Sequence, residues 1–317
     1  MTGMPGSPAS AEDPSTPDDD LARLMAEAQR QDAGIGPRDW ASWPPDAERG
    51  TLDAPSGPLA HVAMGPPEGE RVILVPGMTG SKEDFVLMMP LLAASGCRVE
   101  SYDLAGQYES FRAGPERLDP PQPHYTLELF VADLIAVLES GRTPAHVLGY
   151  SFAGTIASAA LVARPELFAS LTLLSAPPFA GQALRGFKTL GPLSWAVPGR
   201  SLGPVFIAAL RHNVHRAPAD RAAFVTARFA LTRRGSVGDI LALMKRIPDL
   251  EERMRAAGIP MLVAAGARDV WPDAAHRAFA QRIGAKVLIL PTGHSPCETA
   301  PHQLTVAMQE LFAGAGR

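Results

Sequence analysis

The sequence predicts an α/β fold: a mostly parallel, twisted sheet of about eight strands flanked by helices, with a helical cap inserted between the sixth and seventh strands. Three observations carry this. The run Val147-Leu148-Gly149-Tyr150-Ser151-Phe152-Ala153-Gly154 ends an apolar strand in a serine flanked by small residues. That is the pattern of a very tight strand-to-helix turn, which crowds the backbone and pushes the serine hydroxyl above the sheet. Two later apolar runs of strand length, Ile259 to Gly266 and Lys286 to Pro291, lead into loops holding Asp269 and His294. Between Ser175 and Met261 lie about eighty residues of helical periodicity broken at Gly191, Pro192, Pro198, Pro218, Gly235 and Pro248.

The chain order is therefore serine, aspartate, histidine. A serine hydroxyl is a poor nucleophile at neutral pH. It needs a base to take its proton and a carboxylate to fix the imidazole tautomer and stabilise the imidazolium. Ser151, His294 and Asp269 can fill those roles, and all three follow the carboxyl ends of strands, where open α/β sheets place their reactive groups. The competing reading of Ser151 is a helix N-cap. Asp273 rivals Asp269 and could instead cap the helix Ala274 to Ile283. His61, His124, His146, His212, His215, His276 and His302 are alternatives to His294, but none of them follows a late strand.

With these residues in place, the region from about residue 50 to 315 resembles the α/β-hydrolase superfamily, in the branch with a helical cap inserted late in the fold. Arg71 to Gly80 is similar to the third strand and oxyanion loop of that family, with Pro76-Gly77 where the family has His-Gly. The resemblance implies that the oxyanion donors are the backbone NH groups of Met78 and Phe152, which the change leaves in place. Val99 to Gly106 resembles the fourth strand and its Asp-x-x-Gly turn. Gln107-Tyr108-Glu109-Ser110 replaces the family's second glycine. Gly293 to Pro301 resembles the histidine loop and final helix.

The resemblance implies a serine hydrolase acting on a carboxylic ester through an acyl-enzyme. An acidic nucleophile is excluded, because haloalkane dehalogenases and epoxide hydrolases of similar fold place aspartate where this chain has Ser151. Acyl thioesterases, acyltransferases, carbon-carbon bond hydrolases and cofactor-free haloperoxidases share the triad, and fold does not choose among them. A non-enzymatic protein of the same fold, binding a small ligand without turnover, is the alternative of a different class. The expected partner is a small apolar or acyl substrate. The sequence carries no signature of oligomeric state.

Composition agrees. The 317 residues are 46% hydrophobic and 20% charged, enough for one large α/β domain plus an insertion. Two cysteines, Cys97 and Cys297, exclude a disulfide framework, and Cys297 is expected to be a buried small residue. The N-terminus has no basic start or apolar leader and no stretch approaches a membrane span, so a cytoplasmic protein without membrane attachment is expected. No His/Cys/Glu cluster has metal-ligand spacing and no glycine-rich phosphate loop opens a helix, so neither metal nor cofactor is expected. No aromatic-basic interleaving supports nucleic-acid binding.

The predicted organisation is a disordered acidic tail over 1–20, an N-terminal helix and linker over 21–49, hydrolase core over 50–178, cap over 179–257 and core again over 258–317. Leu21, Leu24, Met25 and Ala28 recur at helical spacing, starting after Asp18 to Asp20. Trp40 and Trp43 are expected to staple the linker to the surface. Short strands are expected at Thr51 to Ala54 and Leu59 to Met64, and a helix capped by Thr126 runs to about Glu139. Within the cap, Leu202 to Val214, Ala219 to Arg233, Val237 to Ile247 and Leu250 to Ala257 read as helices. Their stripe residues Phe206, Leu210, Phe224, Phe229, Leu241 and Met244 are expected mostly to pack the cap internally, with a minority lining an apolar pocket. Phe179 to Ala257 carries thirteen Lys/Arg and five Asp/Glu, net +8, leaving sixteen basic and twenty-eight acidic residues, net −12, elsewhere in a chain of net −4. That asymmetry predicts either a solvated cap face, with the acidic N-terminal segment lying against it, or recruitment of an anionic substrate such as a coenzyme A thioester.

Overall fold

A computed structural model of the chain describes residues 17–186 and 218–315. Eight strands form one sheet in the order β1-β2-β4-β3-β5-β6-β7-β8: Glu48–Ala54, Gly57–Met64, Arg71–Val75, Arg98–Tyr102, Ala145–Tyr150, Phe168–Leu174, Met261–Gly266 and Lys286–Leu290, numbered β1 to β8 along the chain. The β1-β2 hairpin and the β2-β4 pair are antiparallel, and every later pairing is parallel. The first two strands begin earlier than their expected starts at Thr51 and Leu59, since the hairpin register extends through Glu48↔Ala63.

The central parallel strands are largely apolar on both faces because helices cover both. On β3, Val72 and Leu74 face a core shared with Met88, Met89 and Leu92 of α2 (Met88–Ala94) and with Leu304, Met308 and Leu311 of the C-terminal helix Pro301–Ala315. Ile73 and Val75 face the opposite core, filled by α3 (Leu127–Glu139) and α4 (Phe152–Ala163). Thr126 does cap α3, its Oγ1 accepting from the Leu129 amide at 3.2 Å.

α1 runs Pro17–Ala33, so residues 17–20, expected in the tail, are helical. Proline is pre-organised for a first helical turn, and Asp19 and Asp20 suit the positive end of the helix dipole. Residues 1–16 of the tail lie outside the described residues. α1 docks on the C-terminal helix through Asp32, whose carboxylate accepts from the His302 and Gln303 amides at 2.9 and 3.2 Å and from Gln303 Nε2 at 2.9 Å.

The segment between β6 and β7 contains the helices Ala219–Phe229, Arg234–Leu243 and Glu251–Ala256. The first and third lie within their expected spans, and the second begins three residues before Val237. Gly235 and Val237, read as a break and a start, both lie within the second helix. The expected helix Leu202 to Val214, with Phe206, Leu210 and His212, falls outside the described residues, as does His215. No described helix is long and apolar enough to cross a membrane.

Candidate active site

The β5-to-α4 turn follows directly from its residues. Ser151 has φ 54° and ψ −121°, a backbone conformation that L-residues rarely adopt and that aims its side chain away from both flanking elements. A Cβ at Gly149 would lie 2.5 Å from the Ala153 carbonyl oxygen, so only glycine fits two residues before the serine. Ala153, in place of the usual glycine two residues after it, is accommodated with its methyl buried in the core. The turn is anchored by the Ser151 amide, which donates to the Leu174 carbonyl at 2.8 Å.

Ser151 is the residue before α4, yet its side chain makes no capping hydrogen bond. Its Oγ lies 3.1 Å from His294 Nε2, and His294 Nδ1 lies 2.5 Å from Asp269 Oδ1. Asp269 follows β7 in a turn closed by its own amide on the Gly266 carbonyl at 3.0 Å. Its carboxylate is fully buried, while the His294 side chain keeps 27% exposure. Burial alone would push the Asp269 carboxyl up, but hydrogen bonds from His276 and His294 outweigh it and hold the group down at about 2. Asp273, the sequence's alternative, is exposed in the first turn of the helix Asp273–Ile283 and accepts there from the Ala274 amide at 2.8 Å. The His294 ring sits between aromatic neighbours: Tyr150 tilted at 5.5 Å between centroids and Trp271 edge-on at 5.8 Å. Tyr150 Oη and Ser295 Oγ share a 2.7 Å hydrogen bond that ties the histidine loop to the elbow strand.

The loop after β3 lies against the elbow. A Cβ at Gly77 would sit 3.0 Å from Ser151 Cβ and 3.1 Å from the Tyr150 carbonyl oxygen, which explains the glycine there. Thr79, in the left-handed region at φ 63°, donates its amide to Gln107 Oε1 at 2.6 Å. The Met78 amide makes no hydrogen bond among the described residues, and its side chain packs partly buried against the core. Phe152 opens α4, so its amide lacks an intrahelical acceptor, while its ring is fully buried edge-on to Phe130. Where the expected second glycine is missing, Tyr108 takes the left-handed conformation at φ 41°, and Gln107 beside it pins the β3 loop.

A family model described as "Alpha/beta hydrolase family" matches residues 72–307. This chain belongs to the alpha/beta hydrolase family. The hydrolase is 33% identical over 116 residues to a protein of Oryza sativa subsp. japonica named as a probable esterase, a stretch covering 35% of this chain and 40% of that one. The matched stretches span about two fifths of the length of its curated relatives. Among solved structures, a thermophilic esterase from Thermogutta terrifontis superposes with a TM-score of 0.65 at 20% identity, covering 85% of this chain and all of that one. The enol-lactonase from Burkholderia xenovorans LB400 superposes at 0.64 and 17% identity, covering 83% of this chain and all of the other. At those identities the likeness is one of fold.

Two features of the cap stand out. Its basic excess divides: Arg234, Arg246, Arg253 and Arg255 are exposed, as on a solvated face, while two arginines turn inward. Arg221, Phe224 and Arg228 share one face of the helix Ala219–Phe229, and both arginines are buried. Arg221 bonds Asp84 Oδ1 at 2.6 Å and grips Glu298 through Nε at 3.0 Å; Arg228 bonds Asp84 Oδ1 at 2.7 Å and Ser81 Oγ at 3.1 Å. Burial would raise the Asp84 carboxyl, but the charges of Arg228 and Arg221 hold it low. Arg233 pairs with Glu116 at 2.6 Å. The two buried arginines are thus matched by carboxylates of the core, as low-dielectric burial of a cation requires. Secondly, Phe224 packs on Trp40 and Val86 and meets Tyr108 edge-on at 5.9 Å, at a junction with the N-terminal linker. Trp40 also donates Nε1–H to Asp220 at 2.9 Å, so the linker is stapled, and to the cap.

The sequence offers His276 only as an alternative to His294. It sits on a helix, seven residues past Asp269, and only the fold turns its ring toward that carboxylate, with Nε2 3.0 Å from Asp269 Oδ2. Arg221 and Arg228 had a legible signal: two arginines seven apart with a phenylalanine between them on one helical stripe.

Proposed function

We propose that this hydrolase cleaves a carboxylic ester by way of an acyl-enzyme on Ser151. The observation that carries the reading is the continuous hydrogen-bonded line from Ser151 Oγ through the His294 ring to the buried Asp269 carboxylate. His294 Nε2 takes the hydroxyl proton as Oγ attacks the ester carbonyl. Asp269, ionised, fixes the tautomer at Nδ1–H and stabilises the imidazolium. The Met78 and Phe152 amides stabilise the tetrahedral oxyanion. The imidazolium then protonates the leaving alkoxide, and water repeats the sequence on the acyl-enzyme. Esterases among the named relatives support the substrate class.

The test is direct. Ser151→Ala should lose on the order of three or more decades in ester turnover while keeping its circular-dichroism spectrum, and a fluorophosphonate should label the native protein at Ser151 alone. Asp269→Asn should be crippled and Asp273→Asn nearly normal. Turnover in Ser151→Ala above about a tenth of native would remove the nucleophile assignment. A native serine that stays unlabelled would favour a binding protein.

A further inference from the structure

Asp269 has two imidazoles on one carboxylate. His294 Nδ1 meets Oδ1 at 2.5 Å and His276 Nε2 meets Oδ2 at 3.0 Å, with the Val270 amide also on Oδ1 at 2.5 Å. A single negative charge cannot hold two buried cations, so the two rings must differ in protonation when the reaction makes one of them an imidazolium. The surroundings decide which. The His276 ring is fully buried, and its Nδ1 has no hydrogen-bond partner among the described residues. As an imidazolium it would bury an Nδ1–H with no acceptor, whereas the neutral Nε2–H tautomer leaves only a lone pair unmet. Asp269 is the charged group its ring meets, and Trp271 stands edge-on at 6.3 Å.

We infer that His276 is a positioning residue of this site: a permanently neutral imidazole that donates Nε2–H to Asp269 Oδ2, locks the carboxylate so that Oδ1 faces His294, and leaves the negative charge to the His294 imidazolium. This rests on the proposed roles of Ser151, His294 and Asp269. A buried carboxylate oxygen stripped of its donor would be unpaired, and the group would be free to turn about its Cβ–Cγ bond. It would also become more basic, binding the His294 proton more tightly.

The experiment compares His276→Leu, which removes the donor, with His276→Gln, whose side-chain NH₂ can reach the same oxygen. Hydrolysis of p-nitrophenyl acetate is measured from pH 5 to 9 and divided by the serine titrated with a fluorophosphonate, so that misfolded molecules drop out. His276→Leu should lower the plateau of kcat/KM per labelled site about ten- to a hundredfold, and raise the midpoint of its acidic limb by about one pH unit, through a fall in kcat with KM little changed. His276→Gln should restore both to within a few fold. A His276→Leu enzyme with native plateau and native acidic limb per labelled site overturns the inference.

A second measurement needs no variant to fold. In ¹⁵N-histidine-labelled native protein, the His276 ring should hold the neutral Nε2–H pattern across pH 5 to 9. Titration of the His276 ring in that range overturns the inference equally. Absence of fluorophosphonate labelling in the native enzyme would mark instead the failure of the serine mechanism, whatever the state of His276.

Discussion

Gly77→Ala tests the contact between the β3 loop and the elbow. The added methyl would stand 3.0 Å from Ser151 Cβ and 3.1 Å from the Tyr150 carbonyl oxygen, against 3.4 Å or more for ordinary contact. The loop must therefore retreat by about half an ångström to reach an unstrained carbon-carbon distance. It cannot do so freely. Val75 is held in the sheet beside Gly149, the Gly80 amide bonds the Gly77 carbonyl at 3.0 Å, and Gln107 holds the Thr79 amide at 2.6 Å. The retreat carries the Met78 amide with it. Complete loss of one oxyanion donor costs about 3 kcal/mol in the transition state, so a donor drawn back by half an ångström should lose about 1–2 kcal/mol, a five- to thirtyfold fall in kcat. Stability should fall less, because overpacking of about 1–3 kcal/mol is partly offset by the stiffer unfolded chain. The assay is kcat for p-nitrophenyl acetate per titrated serine, with thermal unfolding alongside. Gly50→Ala, where an added Cβ meets nothing within 4 Å, is the control and should match the native protein. Native kcat in a folded Gly77→Ala protein would refute the argument that this loop holds the oxyanion against the elbow.

Arg221→Met should destabilise the hydrolase by about 3–5 kcal/mol in urea unfolding, because it strands Glu298 and half of the Asp84 pairing inside the protein; adding Glu298→Gln should recover part of that loss, and an additive double variant would show that the pair is not coupled. Acid should weaken the fold in a defined window. Against the upward push of burial, Asp269 is held at about 2 by His276 and His294, and Glu100 at about 2 by His61 and Arg71. Carboxyls lowered in the folded state contribute stability above the unfolded values near 4 and lose it as pH falls toward 2. Each should account for about 2–3 kcal/mol over that window, and Glu100→Gln should flatten the fall in urea stability between pH 4 and pH 2. An unchanged slope would count against the Arg71-Glu100 pairing as its source.

What was legible in the chain is what short-range chemistry dictates. The elbow declares itself because its crowding demands Gly149, and the strand runs declare themselves because a sheet covered on both faces needs apolar residues throughout. Thr126 announces α3 through its side-chain cap. The order serine, aspartate, histidine carried the expected site residues because each follows a strand end, a position sequence can mark.

Tertiary structure decided whatever depends on partners distant in the chain. His276 looks like any helical histidine until β7 and the helix after it bring its ring to Asp269. That Arg221 turns inward cannot be read from composition, since Asp84 and Glu298 lie 137 and 77 residues from it and only the fold brings the three together. Trp40 was expected at a surface; that the surface is the cap, through Asp220 and Phe224, follows from how the linker crosses the molecule. Periodicity reports which face of an element is buried. It does not report against what, because burial depends on local pattern while pairing of buried charges depends on the three-dimensional path that brings them within hydrogen-bond reach.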